Sequence, residues 1–288
     1  MKKIVILGCE NSHANAFLKH IKERPELAHI QCIGVYSDEI EAAQKLHDEF
    51  DVPVMQSFDE AVGKVDGVVI TARHGDSHYK FAKPYIASGV PMFIDKPICN
   101  KEAEAVEFIA ELKKNGIKAT GGSSLRHAFE ITQLKKAHEK QVGGQTVGGI
   151  FRAPLSIDNP HGGFFFYSQH LVEMIIEVFG RYPKAVQVSN NGNVYTVLFH
   201  YESFTVTGVY TVGSGAYYAA RFTANHSQGG TVTPLGDEWY YDEFKVFADL
   251  MDGGEMDMSY EDLFAPVYIL NAINRGIASG KVEPINYL

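Results

Sequence analysis

The sequence predicts an α/β chain: a doubly wound parallel sheet, followed by an α+β region built on an antiparallel sheet. Three observations carry this. The runs KIVILG, IQCIGVY, DGVVITA and PMFIDK are nearly continuous in apolar residues, the pattern of strands buried on both faces. Between them apolar residues return at helical spacing, as at Ala14, Phe17, Leu18 and Ile21. Beyond KATGGSS the texture changes to AVQVSN, VYTVLFHY and FTVTGVYTV, which alternate as half-buried antiparallel strands do.

Each element follows in order. KIVILG feeds a helix, IQCIGVY feeds the amphipathic EIEAAQKLHDEF, and PMFIDK feeds EAEAVEFIAELKKNG, which stops at Gly116 as a left-handed C-cap. Repeated strand–helix–strand units read as a Rossmann-type domain over residues 1–122. The second domain, 123–288, is expected to hold one helix around Arg126 to Lys140, a glycine-rich joint VGGQTVGG, the alternating strands and two closing helices. The last of these, YEDLFAPVYILNAINRGIAS, opens on Ser259 with Asp262 three residues on, a capping-box pattern, and should kink at Pro266. The closing helices are free to pack back on the first domain. With no long linker, the two domains should pack around a shared cleft.

The 288 residues can bury a core without disulfide or metal staples. A formal charge of −9 disfavours a nucleic-acid backbone as partner and leaves a small molecule as the default ligand. Cys9, Cys32 and Cys99 have no C-x-x-C spacing and read as reduced thiols, which suits a cytoplasmic protein. The apolar run in MKKIVILG is too short for a secretory signal, and no run is long enough to span a membrane. Glu10, His13, His78, His161 and His170 lack H-x-x-x-H spacing on one helix, so no metal is expected.

Several stretches together resemble the Gfo/Idh/MocA family of NAD(P)-dependent sugar and polyol dehydrogenases. They are the strand end Thr71, Ala72 and Arg73, the H-x-x-x-A step from His78 to Ala82, ASGVPMFIDKP with its Asp95-Lys96-Pro97, the Leu125 and Arg126 pair, GGFFFYSQHLVEMIIEVFG and YEDLFAPVYILNAI. The resemblance implies a Rossmann domain, an open-faced antiparallel sheet that lines the substrate site, and a homo-oligomer. It also implies cofactor contacts from Gly8, Glu10, Asn11, Ser12, His13, Thr71, Ala72, Arg73, His78, Asp95 and Lys96. Lys96 and His170 are the expected catalytic pair: a cation for the reacting oxygen, and an acid/base with a pKa near neutrality. Arg126, His161, Phe166 and Glu173 join them as substrate contacts.

Two departures stand out. Gly8 matches the first glycine of G-x-G-x-x-G, but the helix start at His13 and Ala14 aligns only if three residues are missing between, and Glu10 falls where pyrophosphate would lie. Asn11 or Ser12 can still cap the helix. Phe166 stands four residues before His170, where the family has an aspartate, so His161 or Tyr167 is expected to assist the histidine rather than Glu173. At the end of the second strand, Ser37 and Asp38 read either as ribose contacts or as a cap for the next helix. With no arginine beside them, NAD is preferred and NADP stays open. The expected function is hydride transfer between a nicotinamide cofactor and a sugar, cyclitol or related polyol. The rival is a non-catalytic relative that senses a ligand.

Overall fold

The computed structural model describes residues 1–233 and 238–288. The chain divides into two compact units, Met1–Gly122 with Gly236–Leu263, and Ser123–Leu235 with Phe264–Leu288.

The first unit is the predicted doubly wound sheet. Strands β1 (Lys2–Leu7), β2 (Ile30–Tyr36), β3 (Gly67–Ile70), β4 (Met92–Asp95) and β5 (Ala119–Gly122) lie in the order β2-β1-β3-β4-β5, every neighbour parallel. Helices α1 (Ser12–Glu23), α2 (Ile40–Phe50), α3 (Asp76–Ile86) and α4 (Glu102–Asn115) connect them. A parallel bridge joins Val35 to Val54, with Val35 N–H donating to Pro53 O at 2.9 Å and Met55 N–H to Val35 O at 2.9 Å. Counting that bridge as a rudimentary strand gives the order 3-2-1-4-5-6 of dinucleotide-binding sheets. It stays rudimentary because Pro53 has no N–H to extend a ladder. Gly116 caps α4 at φ 62°, as its position predicted.

Alternation along the strands sends Ile4, Ile6, Val69 and Phe93 to one face. There they meet Phe17 of α1 and a helix from far along the chain, α7 (Glu238–Met251), which contributes Phe244, Phe247 and Met251. Phe17 packs edge-on against Phe93 at 5.1 Å and lies 4.9 Å from Phe244. A Cβ on Gly67 would come within 2.8 Å of Phe247 and Met251, so α7 sits hard against the sheet. Nothing local in the sequence ties α7 to this core.

In the second unit, β6 (Thr146–Leu155), β7 (Ala185–Asn191), β8 (Val194–His200), β9 (Thr205–Val212), β10 (Tyr217–Thr223), β11 (Ser227–Val232) and β12 (Val282–Pro284) form one sheet in the order β11-β10-β6-β9-β8-β7-β12. Neighbours are antiparallel except β6 and β9, which run parallel and make the sheet mixed. The reason is the connection: β6 leads into the crossover helix α6 (Phe165–Phe179), and the β7–β8–β9 meander returns alongside β6. Burial alternates along β8 and β9, so one face is covered and the other open. The covered face takes α6 so closely that a Cβ on Gly208 would press on Phe199 and Leu171 at 2.8 and 2.9 Å.

The single helix expected from Arg126 to Lys140 is divided into a 3-10 turn, Ser124–His127, and α5 (Phe129–Glu139). Ala128 between them is extended, at ψ 139°. The last helix, α8 (Tyr260–Ser279), contains Pro266, and Asp262 N–H donates to Ser259 Oγ at 3.0 Å as the capping pattern requires. Among the described residues, no helix is long and apolar enough to cross a membrane.

Candidate functional site

In the first unit the candidate residues gather where β1, β3 and β4 end. Gly8 N–H donates to Tyr36 O at 2.7 Å, and its carbonyl accepts from Thr71 Oγ1 at 2.5 Å. At φ 91° it holds a left-handed conformation, and a Cβ there would sit 2.2 Å from Ala72 N. The chain then reaches α1 through Cys9, Glu10 and Asn11 alone. Cys9 turns its thiol to Tyr36 O at 3.3 Å, and burial, with Glu10 nearby, pushes its pKa well up. It is a packed thiol with no nucleophilic character.

Asn11 is the N-cap of α1, its Oδ1 accepting from His13 N–H at 2.7 Å while its Nδ2 donates to Asp95 Oδ2 at 2.9 Å. His13 lies in the same network, with Nδ1 3.0 Å from Asn11 Oδ1 and 3.2 Å from Asp95 Oδ2. Its Nε2 faces Glu243 of α7 at 3.6 Å. Burial lowers the pKa of His13 to about 4 against the pull of Asp95, so the ring is neutral at pH 7. Asp95 is fully buried and also accepts from Lys96 N–H at 2.7 Å. The phosphate-type turn and the Lys96 strand end are thus one hydrogen-bonded assembly. Lys96 is 6% exposed and precedes a cis peptide to Pro97. His13, Asp95 and Glu243 are the one group among the described residues with metal-type donor atoms this close, within 4.8 Å of one another. The Nδ1 contacts to Asn11 and Asp95 are those of a hydrogen-bonded line of residues.

The other expected residues of this unit sort themselves around the assembly. Ser12 Oγ is 3.0 Å from Tyr240 OH. Ser37 donates its hydroxyl to Glu10 Oε1 and accepts from Glu39 N–H at 3.0 Å. Asp38 accepts from Tyr36 OH at 2.7 Å and faces Lys80 at 3.5 Å. His78 is fully buried, its Nε2 2.7 Å from Ala72 O, and burial lowers its pKa. It supports Ala72 from inside. Arg73 stays partly exposed at the end of the same loop. A cleft of about 730 Å³ opens beside the turn, with Glu10, Asn11 and Ser12 on its wall and Lys19 and Lys45 beyond.

In the second unit, His170 lies on α6, 8% exposed, with Nδ1 2.7 Å from Ser123 Oγ. Its ring is 5.5 Å from Tyr167 and 6.1 Å from Tyr217. Phe166 packs on Tyr167 at 4.9 Å and on His161 at 5.7 Å. His161 is held in its loop by Asn159, whose Oδ1 accepts the His161 N–H at 2.8 Å. Tyr210 OH donates to Ser168 O at 2.6 Å and fixes α6 on the sheet. A second cleft, about 520 Å³, is walled by Tyr167, Tyr217, Asp158 and Ser214.

Glu173 belongs to a different network. It is 1% exposed, accepts from Gln169 Nε2 at 3.1 Å and pairs with Arg181 at 3.4 Å, while burial raises its pKa against the pull of Arg181 and Arg126. Arg181 and Lys135 also hold Glu177, each at 2.7 Å.

Three residues here escaped the sequence reading: Ser123, Tyr217 and Glu243. Ser123 directly follows β5, and the carboxyl ends of parallel strands are where ligand groups collect, so its position was a usable signal. Glu243 shares a helical face with Trp239 and Phe247, four residues either side, and a carboxylate on an apolar stripe is the sign of a buried partner.

Residues 2–122 match the model of an oxidoreductase family with an NAD-binding Rossmann fold. The Escherichia coli K12 oxidoreductase YhhX is 28% identical over 122 residues, a match covering 40% of this chain and 35% of that protein, so it spans about a third of the relative. Myo-inositol 2-dehydrogenase from Lactobacillus plantarum superimposes with a TM-score of 0.85 at 13% identity, covering 99% of each chain. GenD2 of gentamicin A biosynthesis, solved in complex with NAD, gives 0.84 at 15% identity over 99% of this chain and 96% of its own.

Proposed function

We propose, from the match of residues 2–122 to the Gfo/Idh/MocA oxidoreductase family, that the chain is an NAD-dependent dehydrogenase of a sugar, cyclitol or related polyol. The observation that carries the reading is the hydrogen-bonded assembly of Asn11, His13, Asp95 and Lys96. It joins a capped helix N-terminus, suited to a pyrophosphate, to a lysine at a strand end, suited to a polarised oxygen. The left-handed Gly8 and the Asn11 cap fit a dinucleotide; the departures are the shortened turn and Glu10. The kinship of the fold with a myo-inositol 2-dehydrogenase supports a polyol as substrate class.

Bound nicotinamide supplies the hydride acceptor. Lys96 places its ammonium on the reacting oxygen, stabilising the charge that grows there as the hydroxyl proton leaves. In the second unit His170 is the group suited to accept a proton, its ring held by Ser123 through Nδ1. A serine hydroxyl can orient an imidazole, but it lacks the charge with which the family's aspartate stabilises an imidazolium.

Fluorescence or calorimetric titration tests the reading: NADH is expected to bind below millimolar concentration. Binding of neither NADH nor NADPH at millimolar concentration would leave a ligand sensor as the reading. Within the dehydrogenase, Ser123→Ala should lower kcat about ten-fold, the cost of losing one buried hydrogen bond to the base, with little change in KM. It should also move the midpoint of the pH–kcat profile, and Ser123→Thr should restore both. An unchanged profile in Ser123→Ala would remove Ser123 from any positioning role.

A further inference from the structure

We infer that Glu10, from the turn after β1, takes the adenosine ribose hydroxyls of the dinucleotide and thereby selects NAD over NADP. The inference rests on the dehydrogenase reading above. In open sheets of this kind the first turn receives the pyrophosphate, and an acid at the end of the second strand receives the ribose. Here the end of β2 offers no such acid. Ser37 is neutral and 5% exposed, and it gives its hydroxyl to Glu10 Oε1. Asp38, the nearest carboxylate in the chain, is engaged by Tyr36 and Lys80.

Glu10 fills the vacancy from the other side. The short turn between Gly8 and α1 brings residue 10 across to Ser37, so a carboxylate stands at the end of β2 although no residue of β2 supplies it. Its second oxygen, Oε2, is shielded from water and has no hydrogen-bond partner among the described residues. A shielded carboxylate oxygen without a donor is an acceptor in need of one. Glu10 also lines the cleft beside the turn, and a rotation of its side chain would bring Oε2 to a ligand there. Two adjacent ribose hydroxyls are donors of the right number and spacing for one carboxylate. A 2′-phosphate in the same place would set two anions in contact, which disfavours NADP. The feature that weakens the pyrophosphate turn therefore supplies the ribose contact.

The test uses the full chain and calorimetric titration with NADH, NADPH and 2′-deoxy-NADH. The wild type should bind NADH about ten-fold or more tightly than either analogue, the effect of a charge-assisted hydrogen bond. In Glu10→Gln the penalty for removing the 2′-hydroxyl should shrink to less than about two-fold, and the preference over NADPH should narrow to match. Ser37→Ala, which keeps the carboxylate, should keep the preference. Three results would overturn the assignment and leave the dehydrogenase standing. They are equal binding of NADH and its 2′-deoxy analogue by the wild type, tighter NADH binding in Glu10→Gln, and loss of preference in Ser37→Ala as large as in Glu10→Gln. The wild-type comparison needs no variant, so poor folding of Glu10→Gln leaves the question decidable. No binding of any dinucleotide would overturn both readings.

Discussion

Replacing Lys96 by methionine is expected to lower kcat on a polyol by about a hundred- to a thousand-fold, the usual cost of deleting a group that stabilises charge in the transition state. Methionine keeps most of the volume of the lysine stem and removes only the ammonium. Lys96 is 6% exposed, and the apolar stem that methionine keeps should hold most of the packing, so kcat is expected to fall far more than the melting temperature. NADH affinity should hold within about two-fold, because the Asn11 cap and the Asp95 hydrogen bonds do not involve the side-chain nitrogen. Lys96→Arg should not rescue, since a planar guanidinium cannot take the place of a compact ammonium. Thermal melts run beside steady-state kinetics decide the matter. Activity that falls only in step with the melting temperature would make Lys96 a structural residue.

Gly8→Ala should strongly destabilise the first unit. Two penalties coincide at this position. The backbone is left-handed at φ 91°, and the new methyl would meet the Ala72 backbone at 2.2 to 2.3 Å, where no flexible side-chain tip can yield. Strain and overpacking together come to about 3–5 kcal/mol, or a melting temperature lower by roughly 10 °C. Gly63→Ala separates the two causes. Gly63 is also left-handed, at φ 73°, but has nothing within 4 Å of its added Cβ, so only the conformational cost of about 1 kcal/mol applies. Circular dichroism melts of the two variants make the comparison. Equal losses would show that the contact with Ala72 relaxes freely.

The layered sheet was legible in the sequence because its causes are local. Continuous apolar runs mark strands buried on both faces, and Gly116 and Ser259 mark helix ends by their own chemistry. The turn at Gly8 and the strand end at Lys96 were visible for the same reason. What stayed hidden depends on partners distant in the chain. No pattern around Glu243 says that it faces His13, and no motif contains the hydroxyl of Ser123, although it meets His170 at 2.7 Å. Asp38 shows the converse. Its place in the sequence allowed a ribose contact or a helix cap, and its carboxylate meets Tyr36 and Lys80, partners that spacing alone cannot express. The parallel pairing of β6 with β9 escaped likewise, since alternation reports which face is buried and not which neighbour lies alongside.

The position of α7 in the first unit has a consequence for synthesis. The β-strands of that unit are complete once Gly122 has been made, but Phe244, Phe247 and Met251, which cover Phe17 and Phe93, are translated only after the whole seven-stranded region except β12. A chain emerging from the ribosome at about ten residues per second therefore carries a finished sheet with one face only partly covered for roughly ten seconds. The second unit's strands β6 to β11 appear within that interval, offering edges to pair while the first unit still lacks its cover. The interleaved order of the chain makes the first unit to begin folding unable to close until most of the second has been made.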